Sequence, residues 1–505
     1  MKKCIPLLLL VLVWDACTDL SELERIQSDG APEYAFALFH GEVSIRQFLE
    51  SFDDTGLLII EPDGTLTIRY RGNTIYRTTK DALAPALALL QLPIPVTDTL
   101  FELPFRYDDI LEVDSARFKG GTLTYFFNNA HPDTVVVTVT FPQLQKDGQP
   151  LVLTHSLPPA NGTPVPLFPT PQVDLSGYTL APDADGKMWL RYEARRQPSM
   201  MSDTLSDFYL LMQNVAFSYI QGYLGNYLYD GARDTIEIEF LENWRRGEVY
   251  FADPRVYLYV ENSFGLPTRS VVNVFDVYTL DGQVLQLTSP LFQNGGLDFV
   301  YPSLDEVGQV KTQTIVLDKS NSNIAEILGA NPLAVDYDID ALTNPDTITA
   351  IRGFLTDSSY YRFQVEVELP VYGQARQFEV LDTFPIDMGS FAQVQQATIK
   401  LWVQNELPIG VEAQVYVADA QGITDSLFDA PTFLIPAAAV NSNGFPDGAR
   451  TETLYIDLLG NRLQHLLAST HLILKATFST TQDGQVPVRM EFDNKVEIRA
   501  GIKVQ

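Results

Sequence analysis

Cysteine is nearly absent from these 505 residues: only Cys4 and Cys17 occur. A disulfide-stapled scaffold is thereby excluded, as is a zinc site built on several thiolates. Histidine is scarce as well. His40, His131, His155, His465 and His471 include no pair at the spacing of a zinc-binding helix. Cations are few, with 34 Lys and Arg against 64 Asp and Glu, for a net charge of −30. A field of that sign repels phosphate backbones, so nucleic acid is excluded as a partner class. No apolar run approaches the ~20 residues that a membrane-crossing helix needs. Neither a G-x-S-x-G elbow nor a phosphate-cradling G-x-x-x-x-G-K is present. No catalytic residue, metal ligand or cofactor is assigned, and the expectation is that the chain is not an enzyme.

What is present is the material of packed domains. Apolar residues make up 46% and aromatics 11% of the chain, far from the composition of disordered segments. The N-terminus reads Met1-Lys2-Lys3, then the apolar run Ile5–Trp14, then Ala16-Cys17. A short positive region followed by such a run fits a secretory signal. The small residue before Cys17 resembles a bacterial lipoprotein processing site, although Trp14 and Asp15 stand where Leu and a small residue are typical. The alternative is an ordinary signal peptide with an incidental cysteine. On the lipoprotein reading, residues 1–16 leave, taking Cys4 with them, and Cys17 becomes the acylated first residue. The acidic stretch Thr18–Glu24 then opens a tether over 17–30. The expected location is the outer membrane, anchored by lipid on the periplasmic side or at the cell surface.

Three anchors recur in the same order along the rest of the chain. The first is Asp-Thr ahead of an apolar strand, at Asp98-Thr99, Asp234-Thr235 and Asp382-Thr383. The second is an alternating strand that ends at an asparagine with proline soon after: Asn129 and Pro132, Asn262 and Pro267, Asn405 and Pro408. The third is a glycine closing the next hairpin, at Gly148, Gly282 and Gly422. The fullest copy is Phe251–Pro267, in which Val256, Leu258 and Val260 share one face at period two. The anchors imply three related repeats of roughly 130–140 residues, each long enough for a core of its own. They are too long for solenoid units, so beads in series are expected.

The strands are short, alternating, and separated by Gly, Pro, Asn and Asp, the pattern of antiparallel sandwiches. The fold class expected is therefore all-β, with tandem β-sandwiches over 98–233, 234–381 and 382–505. A small mixed N-terminal unit over 31–97 precedes them. Within it, Ser44-Ile-Arg-Gln47 fits a capping box for a short helix through Phe52. A hairpin is expected across Pro62-Asp63-Gly64, and a helix over Thr79–Leu92. Leu205–Tyr227 is ambiguous between helix and two strands.

The stretch Asp253–Pro267 resembles the asparagine-ended strand of type-2 late-embryogenesis-abundant (water-stress) domains, with weaker echoes at Thr124–Pro132 and Lys400–Pro408. That resemblance implies small β-sandwiches without catalysis. The whole layout is similar to a group of uncharacterised Bacteroidota envelope lipoproteins, carried by Glu33–Phe52, Pro62–Tyr70, Asp336–Thr356, Leu369–Gly373 and Leu381–Met388. It implies location and fold but no substrate. The function expected is a structural spacer, or a protein-binding subunit with a partner in the outer membrane or periplasm. The alternatives are an accessory or plugging subunit of the type IX secretion translocon and a glycan-binding accessory lipoprotein.

Four local features bear on binding. Asp336, Asp338 and Asp340 alternate along one strand face; they offer oxygens to Ca²⁺, or they form an ordinary solvated face with Tyr337 and Ile339 inward. Asp183-Ala-Asp185-Gly186 reads as a turn. Trp402 lies opposite Ile399, Leu401 and Val403, as a contact or sugar-stacking platform or as a residue buried against a neighbour. Tyr219, Tyr223, Tyr227 and Tyr229 carry the same pair of readings. No motif supports Ca²⁺ or a glycan.

Overall fold

The computed structural model describes residues 34–44, 58–90, 92–103, 106–107, 111–160, 167–231, 233–238, 247–292, 296–386 and 394–504. Cys17 lies outside these residues. So does most of the helix expected over 44–52; Ser44 itself ends a strand. The chain is all-β, and its named strand pairs are antiparallel. In the Arg255–Asn262 strand, Val256, Leu258 and Val260 are 0%, 1% and 2% exposed. Leu205–Tyr227 is strand, running from Ser206 to Tyr223. The helix near residue 80 spans Thr79–Leu90 and carries Pro85 in its second turn.

One set of three pairings recurs in 98–233, 234–381 and 382–505. The strand that follows Asp98-Thr99, and the strands that contain Asp234-Thr235 and Asp382-Thr383, pair with the penultimate long strand: Leu100–Glu102 with Trp189–Arg196, Arg233–Glu237 with Pro332–Thr343, and Phe378–Pro385 with His471–Thr480. The asparagine-ended strand pairs with the last one: Leu111–Asn128 with Ser206–Tyr223, Arg255–Asn262 with Tyr360–Pro370, and Gln396–Asn405 with Lys495–Val504. The strand that follows the asparagine pairs with the penultimate one, at Val135–Lys146, Thr268–Thr279 and Ile409–Asp419. In the second and third units these pairings give two separate sheets. In the first they belong to a single 13-stranded sheet, because Thr179–Leu180 pairs with both Ala116–Arg117 and Leu144–Gln145. Its two 18-residue strands change register where Gln213–Ala216 passes Gly120 and Gly121. Gly121 has φ +130°, and a Cβ there would meet Val215 Cα at 3.0 Å, so only glycine permits this approach.

The described residues of 31–97 do not form a unit of their own, contrary to expectation. Tyr34–Ser44 pairs along its length with Lys495–Val504 of the third unit. Leu66–Arg71 and Ile75–Thr78 pair with Tyr360–Pro370 of the second, and Leu58–Ile60 completes the expected hairpin beside them. Ile94–Pro95 pairs with Ser206–Tyr223 of the first. The segment therefore visits the units in reverse order, and in each it pairs with the last strand. An unpaired last strand would present a row of open N–H and C=O groups. Nothing local in a sequence reveals a pairing more than 400 residues away.

The expectation of separable beads also fails. Residues 219–222 of the first unit pair with 353–356 of the second-unit segment, and Tyr219 stacks on Phe354 with ring centroids 6.2 Å apart. Lys119 reaches Asp357 at 2.7 Å and Arg352 reaches Glu112 at 2.6 Å across the same joint. One hydrophobic core is continuous through both units, from Ile68 and Leu103 to Leu369. The second and third units share a small sheet made of Glu248–Phe251, Tyr372–Arg376 and Val488–Arg489. There the Arg489 guanidinium lies 3.9 Å from the Tyr372 ring centroid. Leu66, from the N-terminal segment, packs with Val403, Leu407, Val496 and Ile498 of the third unit.

Candidate functional site

The repeat-defining asparagines are clamps. Asn129, Asn262 and Asn405 are 6%, 0% and 0% exposed. In each, the side-chain oxygen accepts from the backbone N–H two residues on: His131 at 2.9 Å, Phe264 at 2.9 Å and Leu407 at 2.8 Å. In each, the side-chain amide also donates to a distant carbonyl: Pro158 at 2.8 Å, Val300 at 3.2 Å and Pro436 at 2.8 Å. Asparagine is suited to this because one short side chain offers donor and acceptor together. Each buried backbone group orphaned by its loss would cost about 1–3 kcal/mol. Gly148, Gly282 and Gly422 have φ of +73°, +83° and +132°, which the hairpin turns require.

The acids of Val335–Ala341 do not behave as a solvated face. Tyr337 and Ile339 are buried, but Asp336 and Asp340 are also only 3% and 9% exposed. Asp336 is gripped by Arg233, whose Nε lies 3.0 Å from both carboxylate oxygens. This guanidinium contact, against the opposing effect of burial, holds the Asp336 carboxyl below the usual range. Asp338 and Asp340 instead meet Asp230, with carboxylate oxygens of all three within 4.8 Å of one another. Asp230 was not singled out in the sequence because it sits more than 100 residues away. Asp340 already accepts from Gly231 N–H at 3.0 Å and from Asn273 Nδ2 at 2.7 Å, so much of its capacity as a ligand is used. Asp183 accepts from Asp185 N–H, Lys187 N–H and Trp189 Nε1, which makes it the hub of a turn as expected.

Trp402 lies on the outer face of the Gln396–Asn405 strand, half-buried beneath Arg499, whose guanidinium is 4.6 Å from the ring centroid. Arg499 pairs with Glu497 at 2.5 Å, and Glu497 with His40 at 3.0 Å. Arg499 first, and His40 after it, hold the Glu497 carboxyl below its ordinary value. Tyr455, 62% exposed, stands beside Lys400 on the same face. Trp402 is thus neither a bare platform nor sealed against another unit. The tyrosines near 219–229 go the other way: Tyr219 and Tyr229 lie at a joint, and the Tyr229 hydroxyl donates to Ala82 O at 2.6 Å.

The equivalent outer face of the second unit went unnoticed in the sequence. Glu366 and Glu368 on the last strand are 2% and 4% exposed. Arg69 lies 2.9 Å from Glu368, and Arg71 lies 2.5 Å from Glu366. The Tyr257 and Tyr259 hydroxyls donate to Glu368 and Glu366, with their rings stacked at 5.9 Å. Burial, reinforced by Glu366, pushes the Tyr259 phenol up to about 12. Alternation in Glu366-Val-Glu368 signals a polar face but not what will cover it.

No protein-family model and no curated relative matches the chain. Among solved structures it is similar to a Parabacteroides distasonis protein predicted to be secreted, at TM-score 0.30 and 13% identity, over 55% of this chain and 82% of that one. It is also similar to the infectious bursal disease virus Gt strain structure, at TM-score 0.14 and 10% identity, over 89% and 85% of the two chains. An archaeal virus triple jelly roll gives TM-score 0.12 and 9% identity, over 95% and 98%. Likeness at this level assigns no function. Among the described residues, no helix is long and apolar enough to cross a membrane.

Proposed function

We propose that this chain is a non-catalytic, lipid-anchored envelope protein that acts as a stiff spacer and protein-binding subunit in an outer-membrane assembly. One observation carries the reading: the N-terminal segment runs back along all three units, and strands or a shared core cross each joint. Bending at a joint would break paired strands or open buried apolar surface, so the units move as one. A spacer needs that stiffness. Cys17 supplies the anchor, and with one acyl-bearing residue the chain sits on a bilayer without entering it.

Replacing Cys17 with alanine tests the anchor. The variant is expected in the soluble periplasmic fraction, and its retention in the outer membrane sinks the lipid reading. Crosslinking and affinity purification from the native envelope test the partner, with a stoichiometric membrane protein as the expected product. A glycan reading draws on the outer face of the third unit, where Trp402, Tyr455 and Arg499 stand with Gln404. Binding on a polysaccharide array without a protein partner would replace the spacer reading with that one.

A further inference from the structure

The pairing of the N-terminal strand decides which end of the molecule meets the membrane. Chain order alone suggests that the first unit lies nearest the anchor. The register reverses this. Tyr34 pairs with Val504, which also pairs with Ala397, and Ala397 pairs with Leu458 beside the Gly460–Ala468 helix. That is one end of the third unit. At its other end Ser44 pairs with Lys495, and Glu406 N–H donates to Lys495 O at 2.9 Å. This second end is the one that touches the second unit: Phe492 N–H donates to Gly64 O, and Thr65 bridges Glu491. The strand that follows the tether therefore starts at the end of the third unit facing away from the rest of the molecule.

The second unit continues in the same sense. Pro370 pairs with Thr67 at its third-unit end, while Tyr360 lies close after the 353–356 strand that joins the first unit. Within the first unit, Tyr223 and Glu112 lie at the joint, and Asn128 pairs with Ser206 at the far end. The 196–203 hairpin sits at that far end, since Arg196 pairs with Val135 and Gln197 N–H donates to Thr134 O. Cys17 and Tyr34 are 17 residues apart, a reach of at most about 60 Å even when fully extended.

We infer that the lipid bilayer faces the Tyr34–Val504 end of the third unit, and that the units stand outward in the order third, second, first. The hairpin bearing Met200 and Met201, 51% and 60% exposed, is then the outermost surface. This inference rests on the lipid-anchored reading. It also explains why the N-terminal segment crosses the whole molecule before the repeats begin: the repeats are laid down from the distal unit back toward the anchor.

The test uses full-length acylated protein in vesicles carrying a headgroup energy-transfer acceptor. Single cysteines replace Leu459, Val284 or Met201, which are 51%, 54% and 60% exposed, and each is labelled with a donor dye. The transfer expected is strongest from Leu459→Cys, several-fold weaker from Val284→Cys, and near background from Met201→Cys. Equal transfer from all three, or strongest transfer from Met201→Cys, overturns the inference. A parallel set carries an N-terminal polyhistidine in place of residues 1–17 and is held on nickel-chelating vesicles. Loss of membrane association only in the acylated set breaks the anchor reading, while the ranking on nickel vesicles still decides the geometry.

Discussion

The outer faces of the second and third units are the same part of the repeat, finished in different ways. Both are built on the asparagine-ended strand, the last strand, and a strand lent by the N-terminal segment. In the second unit two glutamates lie under Arg69, Arg71 and two tyrosines, and almost no carboxylate reaches water. In the third unit His40, Glu497 and Arg499 make a paired row in which His40 and Arg499 are mostly exposed, while Glu497 and Trp402 are partly covered. Topology is thus indifferent to what the face does. Side-chain length and the lent strand decide whether it becomes a buried network or an open surface.

The core contrast is parallel. Among the described residues, the first two units share one continuous cluster, whereas the third has three small ones. Deleting residues 34–44 should therefore have the largest effect. It opens the edge of Lys495–Val504 and should unfold the third unit in a separate, earlier thermal transition, leaving the other two folded. Calorimetry that shows one unchanged transition would contradict this. Deleting 66–71 removes Leu66, Ile68 and Tyr70, two of which lie in the shared core, and should bring down the first and second units together.

Single charges sharpen the comparison of faces. Glu366→Gln should cost about 3 kcal/mol in denaturant unfolding, at the low end for breaking a buried pair because Arg71 stays partly solvated. Glu497→Gln, in the open row, should cost far less, and high salt should remove even that. Similar costs at the two positions would mean that the faces do not differ as described.

The smallest effect is alkaline. Burial raises the Tyr259 phenol to about 12 from an ordinary 10. A raised folded value means that the folded chain holds the proton more tightly, so this contribution is intact below pH 10 and fades as pH climbs toward 12. Ultraviolet titration should show this tyrosine ionising late, and Glu366→Gln should bring it earlier. An unshifted tyrosine profile in the native protein would remove the claim.

Several elements were legible in order of residues alone. Alternation placed Val256, Leu258 and Val260 inward, and Asn129, Asn262 and Asn405 fell at one structural position; their acceptance from the N–H two residues on is local, but the carbonyls that their amides reach are about 30 or more residues away. The buried Asp336 and the Asp230–Asp338–Asp340 group were not legible, since both depend on residues about 100 positions distant. The same holds for the lent strands. A period-two pattern states that a strand has an inside and an outside, but carries no address for its neighbour.

The sequence by itself determined the β class, the strands that end at the recurring asparagines, and the turn glycines, because each follows from backbone periodicity or from turns closed nearby. Tertiary structure alone decided that the opening segment would be divided among three units, that two cores would merge, and at which end of the third unit the opening strand begins. Those outcomes depend on pairing exposed strand edges and burying apolar faces, and water drives both without regard to distance along the chain.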